Sequence, residues 1–197
     1  MSKNIENEKR LMLDEEQYEL LMKDFMDDKY SRVFHQINYY FDDENLSLRN
    51  NHIVLRIRSI NLSKYELTVK IKGKEGKGDL EINIPLSEKE VNEFLNNPHI
   101  DNNEIVEAIK NVTHKPIRLI TRLETHRLEC PKEDHLVVID KNHYSGITDY
   151  NLEIEAGSME DATKYILHYA KKYHLTYQDN YLSKSRRAIN RALNIKN

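Results

Sequence analysis

The sequence predicts an α+β fold built on an eight-stranded antiparallel β-barrel, with helices packed outside it. Eight segments of the 197-residue chain alternate apolar and polar residues with a period of two, which is typical of half-buried strands. Neighbouring strands carry charge pairs on one face, as in Arg56 and Arg58 of "VLRIRSI" and Lys70 and Lys72 of "ELTVKIK". Eight antiparallel strands can close into a barrel, and charged faces turned inward would line a hydrophilic tunnel.

The first half of the chain supplies five strands and two helices. A strand near residues 3–11 precedes a helix in "LDEEQYELLMKDF", for which Asp14 is the expected N-cap. Strands follow at "RVFHQINYYFD", "NHIVLRIRS", "KYELTVKIK" and "GDLEINIPL". The glycine-rich "KGKEGKG" predicts a hairpin between the last two, and Ser87 with Glu90 forms a capping box that starts a short helix.

The second half supplies three strands and three helices. "DNNEIVEAIKNV" predicts a helix, and strands resume at "PIRLITRLETHRL", "HLVVIDK" and "TDYNLEIEAG". The chain ends in two amphipathic helices, "SMEDATKYILHYAKKYHL" with Ser158 as its cap and "SKSRRAINRALNI". We expect eight strands and about five helices in one domain that spans residues 1–197.

Composition excludes several classes of protein. The 30 basic and 33 acidic residues leave a net charge of −3, whereas a general nucleic-acid binder carries a basic excess. The single Cys130 rules out an internal disulfide and fits a reducing cytoplasm. "MSKNIENEKR" lacks the apolar core of a signal peptide, and no apolar run approaches the roughly 20 residues that span a membrane. We expect a cytoplasmic protein that binds neither nucleic acid nor membranes.

Assigning faces strand by strand separates the charges by sign. The first and eighth strands carry paired acids, and the third and fourth carry paired bases. The sixth strand is predicted to present Arg118, Arg122, Glu124 and His126 on the same inner face. Each strand alone is also typical of the wet face of an ordinary sheet. However, like charges about 5 Å apart repel by roughly 3 kcal/mol at an effective dielectric of about 20, so repeated like-charged pairs favour a bound ligand or ion.

The chemistry of these pairs indicates what could bind. Paired carboxylates suit a hard divalent cation such as Mg²⁺. Clustered Arg and Lys suit phosphate oxygens, which Arg can engage in a bidentate way. Both kinds on one concave surface predict a site for a metal-bound polyphosphate.

The chain resembles the CYTH domains of the triphosphate tunnel metalloenzyme superfamily, and most of all the small CYTH proteins of Gram-positive bacteria. Glu6, Glu8 and Arg10 in "IENEKR" match a Glu-x-Glu-x-Lys signature. The resemblance continues in order through "LRIR", "TVKIK", the strand of Glu81, "TRLE", "VVIDK", "LEIE" and "YLSKSRR". It implies a tunnel in which Mg²⁺ or Mn²⁺ and a triphosphate bind together.

The resemblance also implies roles for individual residues. The implied metal ligands are Glu6, Glu8, Glu81, Asp140, Glu153 and Glu155. The implied phosphate-binding residues are Arg56, Arg58, Lys70, Lys72, Arg122, Lys184 and Arg186. Lys72 is included because Ile120 stands where some relatives carry a base. The implied catalytic residues are Glu6, Glu8 and Arg10, together with Tyr40, which could orient water or phosphate or be structural. Arg10 replaces the signature lysine, which keeps the charge but loses the compact ammonium.

Two other kinds of site are not expected. His35, His126 and His143 raise the question of a transition-metal site, but the nine histidines are scattered and include no H-x-x-x-H pair. Cys130 precedes a proline at a predicted strand end, and we expect it to be a plain side chain.

Three functions are compatible with this pattern. The first is a metal-dependent triphosphatase that hydrolyses inorganic, nucleoside or thiamine triphosphate with a metal-activated water. The second is an adenylyl cyclase of the class IV type, which would also need an adenine pocket. The third is a non-catalytic module that binds triphosphate or polyphosphate, although phosphate binding alone does not require so many acids. We expect a small-molecule triphosphate as the partner, and a monomer or a homodimer.

Overall fold

The computed structural model describes residues 1–74, 77–100, 102–178 and 181–196. Within these residues eight antiparallel strands form a closed barrel in the order β1-β5-β4-β3-β2-β6-β7-β8. The strands are β1 (Ser2–Leu13), β2 (Arg32–Asp42), β3 (Ile53–Ile60), β4 (Lys64–Ile71), β5 (Asp79–Leu86), β6 (Arg118–Pro131), β7 (His135–Tyr144) and β8 (Ile147–Ala156). The predicted fold class is confirmed.

Six helices accompany the strands in the described part of the chain. They are α1 (Glu15–Met26), α2 (Ser47–Asn50), α3 (Glu88–Asn96), α4 (Asn103–Ile109), α5 (Met159–Lys172) and α6 (Lys184–Ala192). Five of them were predicted, whereas the four residues of α2 are too few to show helical periodicity. No helix in the described ranges is both long and apolar enough to cross a membrane.

The predicted caps and hairpin are present. Ser87 and Glu90 form a reciprocal capping box at α3, and the side chains of Asp14 and Ser158 cap α1 and α5. β4 and β5 pair as an antiparallel hairpin. Glu75 and Gly76 of the predicted turn lie outside the described residues, as does Asp101 of the predicted α4 segment.

β1 closes the barrel because its two halves pair with different strands. Residues 2–6 pair with 79–83 of β5, and residues 7–13 pair with 150–156 of β8. Each half of β1 thus has one neighbouring strand, β5 for residues 2–6 and β8 for residues 7–13. This pairing also places Glu6 beside β5, and Glu8 and Arg10 beside β8.

The apolar cores lie outside the barrel, between the sheet and the helices. One packs α1 and α5 against β1, β6, β7 and β8, through residues such as Leu21 and Ile166. The other packs α3 and α4 against β2, β3 and β4, through residues such as Phe94 and Ile105. The inner face is left to polar side chains, which is the tunnel arrangement that the sequence predicts.

A third apolar cluster closes one end of the barrel. Its buried members, which we call the apolar plug, are Tyr40, Leu123, Tyr144, Ala188 and Ile189. The last two belong to α6, and Tyr144 ends β7, so α6 covers the end at which β7 turns into β8.

We expect Gly78→Ala to destabilise the barrel at the β1–β5 junction. A Cβ on Gly78 would lie 2.5 Å from the carbonyl oxygen of Glu6, and a backbone atom in a paired strand cannot give way cheaply. The expected loss is about 1–3 kcal/mol in the free energy of unfolding. Gly157→Ala is the control, because nothing lies within 4 Å of the added Cβ. Urea denaturation compares the two variants, and equal losses would contradict the tight junction.

Candidate active site

Most of the predicted charged residues meet inside the barrel. We call them, with one arginine that the sequence did not single out, the tunnel cluster. Its members are Glu6, Glu8, Arg10, Arg56, Arg58, Lys70, Glu81, Arg127, Asp140, Glu153, Glu155 and Lys184. Lys184 comes from α6, and the others come from β1 and from β3 to β8.

Two carboxylates face each other across β1 and β8. Glu8 lies directly opposite Glu155, and like charges in such a pair are destabilising. Glu155 has no hydrogen bond or salt bridge with any residue that the structure describes. Burial, with Glu8 and Glu6 nearby, raises the pKa of Glu155 to about 7. This part of the tunnel therefore has more acid than its bases neutralise.

Arg10 and Lys70 hold the β1 carboxylates in place. Arg10 pairs with Glu8, and its Nε donates to Glu153 Oε1 at 3.1 Å. The Nζ of Lys70 lies 2.8 Å from Glu6 and 3.2 Å from Glu8. Burial would lower the pKa of Lys70, but Glu8 and Glu6 raise it, so the ammonium remains charged.

The opposite wall carries two neighbouring arginines on β3. Arg56 donates from Nη2 to Glu81 Oε2 at 3.3 Å, and its buried Nε has no acceptor among the described residues. Burial and the neighbouring Arg56 lower the pKa of Arg58, which contacts Asn38 and Glu66 at 3.2 and 3.4 Å. Against the effect of burial, Arg56 and Arg58 hold the pKa of Glu81 at about 2. This wall is therefore suited to an anion.

A paired network joins β6, β7, β8 and α6. Arg127 donates in a bidentate way to Asp140, with both bonds at 2.9 Å, and reaches Glu153 at 3.3 Å. Lys184 donates to Asp140 at 2.5 Å and to Glu153 at 2.8 Å. Burial would raise the pKa of both carboxyl groups, but Arg127 and Lys184 keep them low. Asp140 and Glu153 are thus neutralised by the protein itself.

Arg122 does not belong to the tunnel, and the inner-face assignment of Arg122, Glu124 and His126 is wrong. Arg118 lies beyond a register shift in the β2–β6 pairing, opposite Asp42. The side chain of Arg122 is 51% exposed, and it pairs with Glu124 at 2.9 Å. In the β2–β6 register, Arg122 lies opposite Tyr39, whose side chain packs on the outer core.

The tunnel position on β6 belongs to Arg127 instead. Thr125 lies opposite Gln36, on the same inner face as Asn38 and Arg127. The alternation of residues assigns the side chains of β6 to two faces of the strand, but it does not show which face turns inward. Both faces of β6 carry charged residues. One signal was available: Leu128 and Cys130, in phase with Arg122, extend that face into an apolar, outer run.

Three further predicted residues lie at the margin of the tunnel cluster. Tyr40 is 2% exposed and sits in the apolar plug. Arg186 lies 3.5 Å from His52 at an exposed position. Lys72 is exposed just beyond the end of β4. The structure does not bring these three side chains among the carboxylates.

The acidic part of the tunnel cluster fits a hard divalent cation. Glu6, Glu8 and Glu155 offer only carboxylate oxygens, the donors that Mg²⁺ and Mn²⁺ prefer. Glu155 is half-buried opposite a second carboxylate and lacks a salt bridge to any described residue, so a cation would relieve a repulsion already present. Glu6 and Glu8 have Lys70 and Arg10 as partners. Glu81, Asp140 and Glu153 are likewise paired with Arg or Lys, so Glu155 is the carboxylate of the tunnel cluster without such a partner among the described residues.

Known proteins share this sequence and fold. The sequence model of the CYTH domain family matches residues 4–183. "Putative triphosphatase YjbK" of Bacillus subtilis (strain 168) is 31% identical over 174 residues, 82% of each chain. The crystal structure of "a putative adenylate cyclase" from Bacillus halodurans is 27% identical, with a TM-score of 0.83 over 95% of this chain and 98% of the other. HpAC1 from Hippeastrum, 19% identical, shares the fold with a TM-score of 0.73 over 92% and 94% of the two chains.

We expect Glu155→Gln to change how the free energy of unfolding depends on pH, when metal ions are removed with EDTA. The unfolded carboxyl loses its proton near 4.5 and the folded one near 7, so the native state binds more protons in that window. The stability of the wild type relative to Glu155→Gln should therefore fall by about 3 kcal/mol as pH rises from about 4.5 to beyond 7. Urea denaturation at several pH values in EDTA measures this, and parallel profiles would contradict the raised pKa.

Arg127 and Arg122 provide a matched test of the β6 faces. Arg127→Leu should cost about 3–5 kcal/mol of unfolding free energy, because it leaves buried Asp140 and Glu153 short of a partner. Arg122→Leu removes an exposed ion pair and should cost less than about 1 kcal/mol. Denaturation of both variants at one pH measures the two losses of unfolding free energy. A larger loss for Arg122→Leu would mean that β6 presents its other face to the tunnel.

Proposed function

Because the chain belongs to the CYTH domain family, we propose that it is a divalent-metal-dependent triphosphatase that hydrolyses inorganic or organic triphosphates. The division of charge across the tunnel supports this most. On β8, Glu155 has no hydrogen bond or salt bridge to any described residue, and on β3 the buried Nε of Arg56 has no acceptor among them, within one closed barrel. A polyphosphate that bridges a cation and these bases complements both walls. The name of the Bacillus subtilis relative points to the same reaction.

Glu6, Glu8 and Glu155 are the residues we propose as holders of Mg²⁺ or Mn²⁺. When bound, such an ion would lower the pKa of a coordinated water and neutralise phosphate charge. Glu155, with its pKa near 7, would give up its proton on becoming a ligand. Arg10 takes a positioning role, because its contacts to Glu8 and Glu153 fix the β1 carboxylates against β8.

The basic wall would hold the phosphate chain. The buried Nε of Arg56 is a donor without an acceptor among the described residues, and a phosphate oxygen would satisfy it. Arg58 lies next to it on the same face and can form paired hydrogen bonds to phosphate. Donors fixed before the reaction stabilise charge that develops on the transferred phosphoryl group. The proposal requires no covalent nucleophile, and the phosphoryl acceptor in it is water.

A cyclase is the second candidate, since the Bacillus halodurans relative carries that name. In that reaction the 3′-hydroxyl of ATP attacks the α-phosphorus and pyrophosphate leaves. The same charges would serve either reaction, so the products must distinguish them. A binding module without turnover is the third.

We expect phosphate release from inorganic triphosphate, ATP or thiamine triphosphate when Mg²⁺ or Mn²⁺ is added. Arg58→Ala should lower kcat/KM by about 100-fold or more, because it removes a preorganised donor. Glu6→Gln/Glu8→Gln should abolish the metal-dependent rate. Arg32→Ala, an exposed arginine at the start of β2, is the matched control and should keep full activity.

The products decide between the three candidates. Orthophosphate from at least one substrate, lost in the double glutamine variant, supports the triphosphatase. Pyrophosphate together with cyclic AMP from ATP alone would replace it with the cyclase. Triphosphate binding by calorimetry without any turnover would leave the binding module.

A further inference from the structure

A histidine–carboxylate cluster lies on the outer face of the barrel, away from the tunnel. His35 of β2 and His126 of β6 are directly opposite each other in the strand register, and Glu124 precedes His126 by two residues on the same face. His35 Nε2 lies 2.8 Å from Glu124 Oε1, and His126 Nε2 lies 3.9 Å from the same oxygen. One ligand atom from each residue lies within 4.8 Å of the other two.

We propose that His35, Glu124 and His126 form a binding site for a transition-metal ion such as Zn²⁺, Ni²⁺ or Cu²⁺. Imidazole nitrogen suits these ions, whereas the carboxylate oxygens of the tunnel suit Mg²⁺ or Mn²⁺. Bond lengths of about 2.0–2.2 Å place the donors of a tetrahedral zinc about 3.4 Å apart. The present separations of 2.8 and 3.9 Å lie on either side of that value, so small side-chain rotations complete the site. Three protein ligands leave one position for water.

Neighbouring groups already orient the ligands. Arg122 donates to Glu124 Oε2 at 2.9 Å, which leaves Oε1 turned toward the two imidazoles. The backbone N–H of His35 donates to the side chain of Asn61 at 2.8 Å. A hydrogen bond to a ligating carboxylate, such as the one from Arg122 to Glu124, commonly tunes a metal site. The exposed fractions, 30% for His35, 31% for Glu124 and 58% for His126, leave the cluster open to ions from solution.

The site would act on the barrel without entering the tunnel. Consecutive strand residues point to opposite faces, so His126 faces outward while Arg127 faces the tunnel cluster. A metal held by His35 and His126 would cross-link β2 to β6. Binding that favours the folded state raises the melting temperature.

Calorimetric titration of the untagged protein with Zn²⁺, in saturating Mg²⁺, tests the proposal. We expect one zinc equivalent in the wild type, weakened at least 10-fold in His35→Ala/His126→Ala. His114→Ala, an exposed histidine between α4 and β6, is the matched control and should bind like the wild type. Glu6→Gln/Glu8→Gln should also keep this affinity, because its changes lie in the tunnel.

Two further readouts give the test a definite outcome. Zn²⁺ should raise the melting temperature of the wild type and of the tunnel variant, but not that of the double alanine variant. Cu²⁺ bound to the wild type should show electron paramagnetic resonance couplings to two imidazole nitrogens. Equal zinc affinity in the wild type and the double alanine variant would overturn the proposal. So would loss of zinc binding in Glu6→Gln/Glu8→Gln alone, since the ion would then use the tunnel carboxylates. Neither result depends on triphosphatase activity.

Discussion

Compensation between buried charges is the constraint on which the rest of the structure depends. Closing eight strands into a barrel takes a dozen ionisable side chains largely out of bulk water, and each unpaired ion there would cost several kcal/mol. Arg127 and Lys184 form salt bridges with Asp140 and Glu153, and Lys70 forms one with Glu6. The tunnel is stable because acids and bases from different strands are interleaved at hydrogen-bonding distance.

The outside of the barrel follows from the same constraint. Since charged side chains occupy the inner faces, the apolar faces turn outward and need a cover, which α1, α3, α4 and α5 supply. α6 does two things at once: Ala188 and Ile189 close one end with apolar contacts, and Lys184 inserts its charge among the tunnel carboxylates. The C-terminal helix is therefore part of the tunnel wall as well as its plug.

Two groups of the tunnel keep an unmet interaction among the described residues, and these are the groups that the proposed reaction would use. Glu155 keeps a raised pKa opposite Glu8, and Arg56 keeps a buried donor without an acceptor among the described residues. Both lie in the same tunnel, and under the proposed function a cation would pair with Glu155 while a phosphate oxygen would accept a hydrogen bond from Arg56. Outside the tunnel, Glu124 contacts the imidazoles of His35 and His126 as well as Arg122, so the possible metal ligands there include ring nitrogens, unlike the carboxylates of the tunnel.

Local pattern determined most of the fold and part of the site. Period-two alternation located all eight strands, the capping residues located α1, α3 and α5, and the paired acids and bases of β1, β3, β4 and β8 already indicated a metal-bound polyphosphate. These signals are readable because strand and helix periods, and the facing of residues two apart, are properties of short segments. The four residues of α2 were too few for such a period to show.

The apolar Leu128 and Cys130 are a sequence signal for the outer face of β6, but the tertiary structure decided which face is inner, and it alone decided which histidines are neighbours. Both faces of β6 are charged, and the pairing of β6 with β2 and β7 places Arg127 rather than Arg122 in the tunnel. His35 and His126 meet for the same reason, although they are far apart in sequence. The alternation within a strand is local and can be predicted from the sequence, but the registry between strands depends on closing the whole barrel and cannot be read from any single segment.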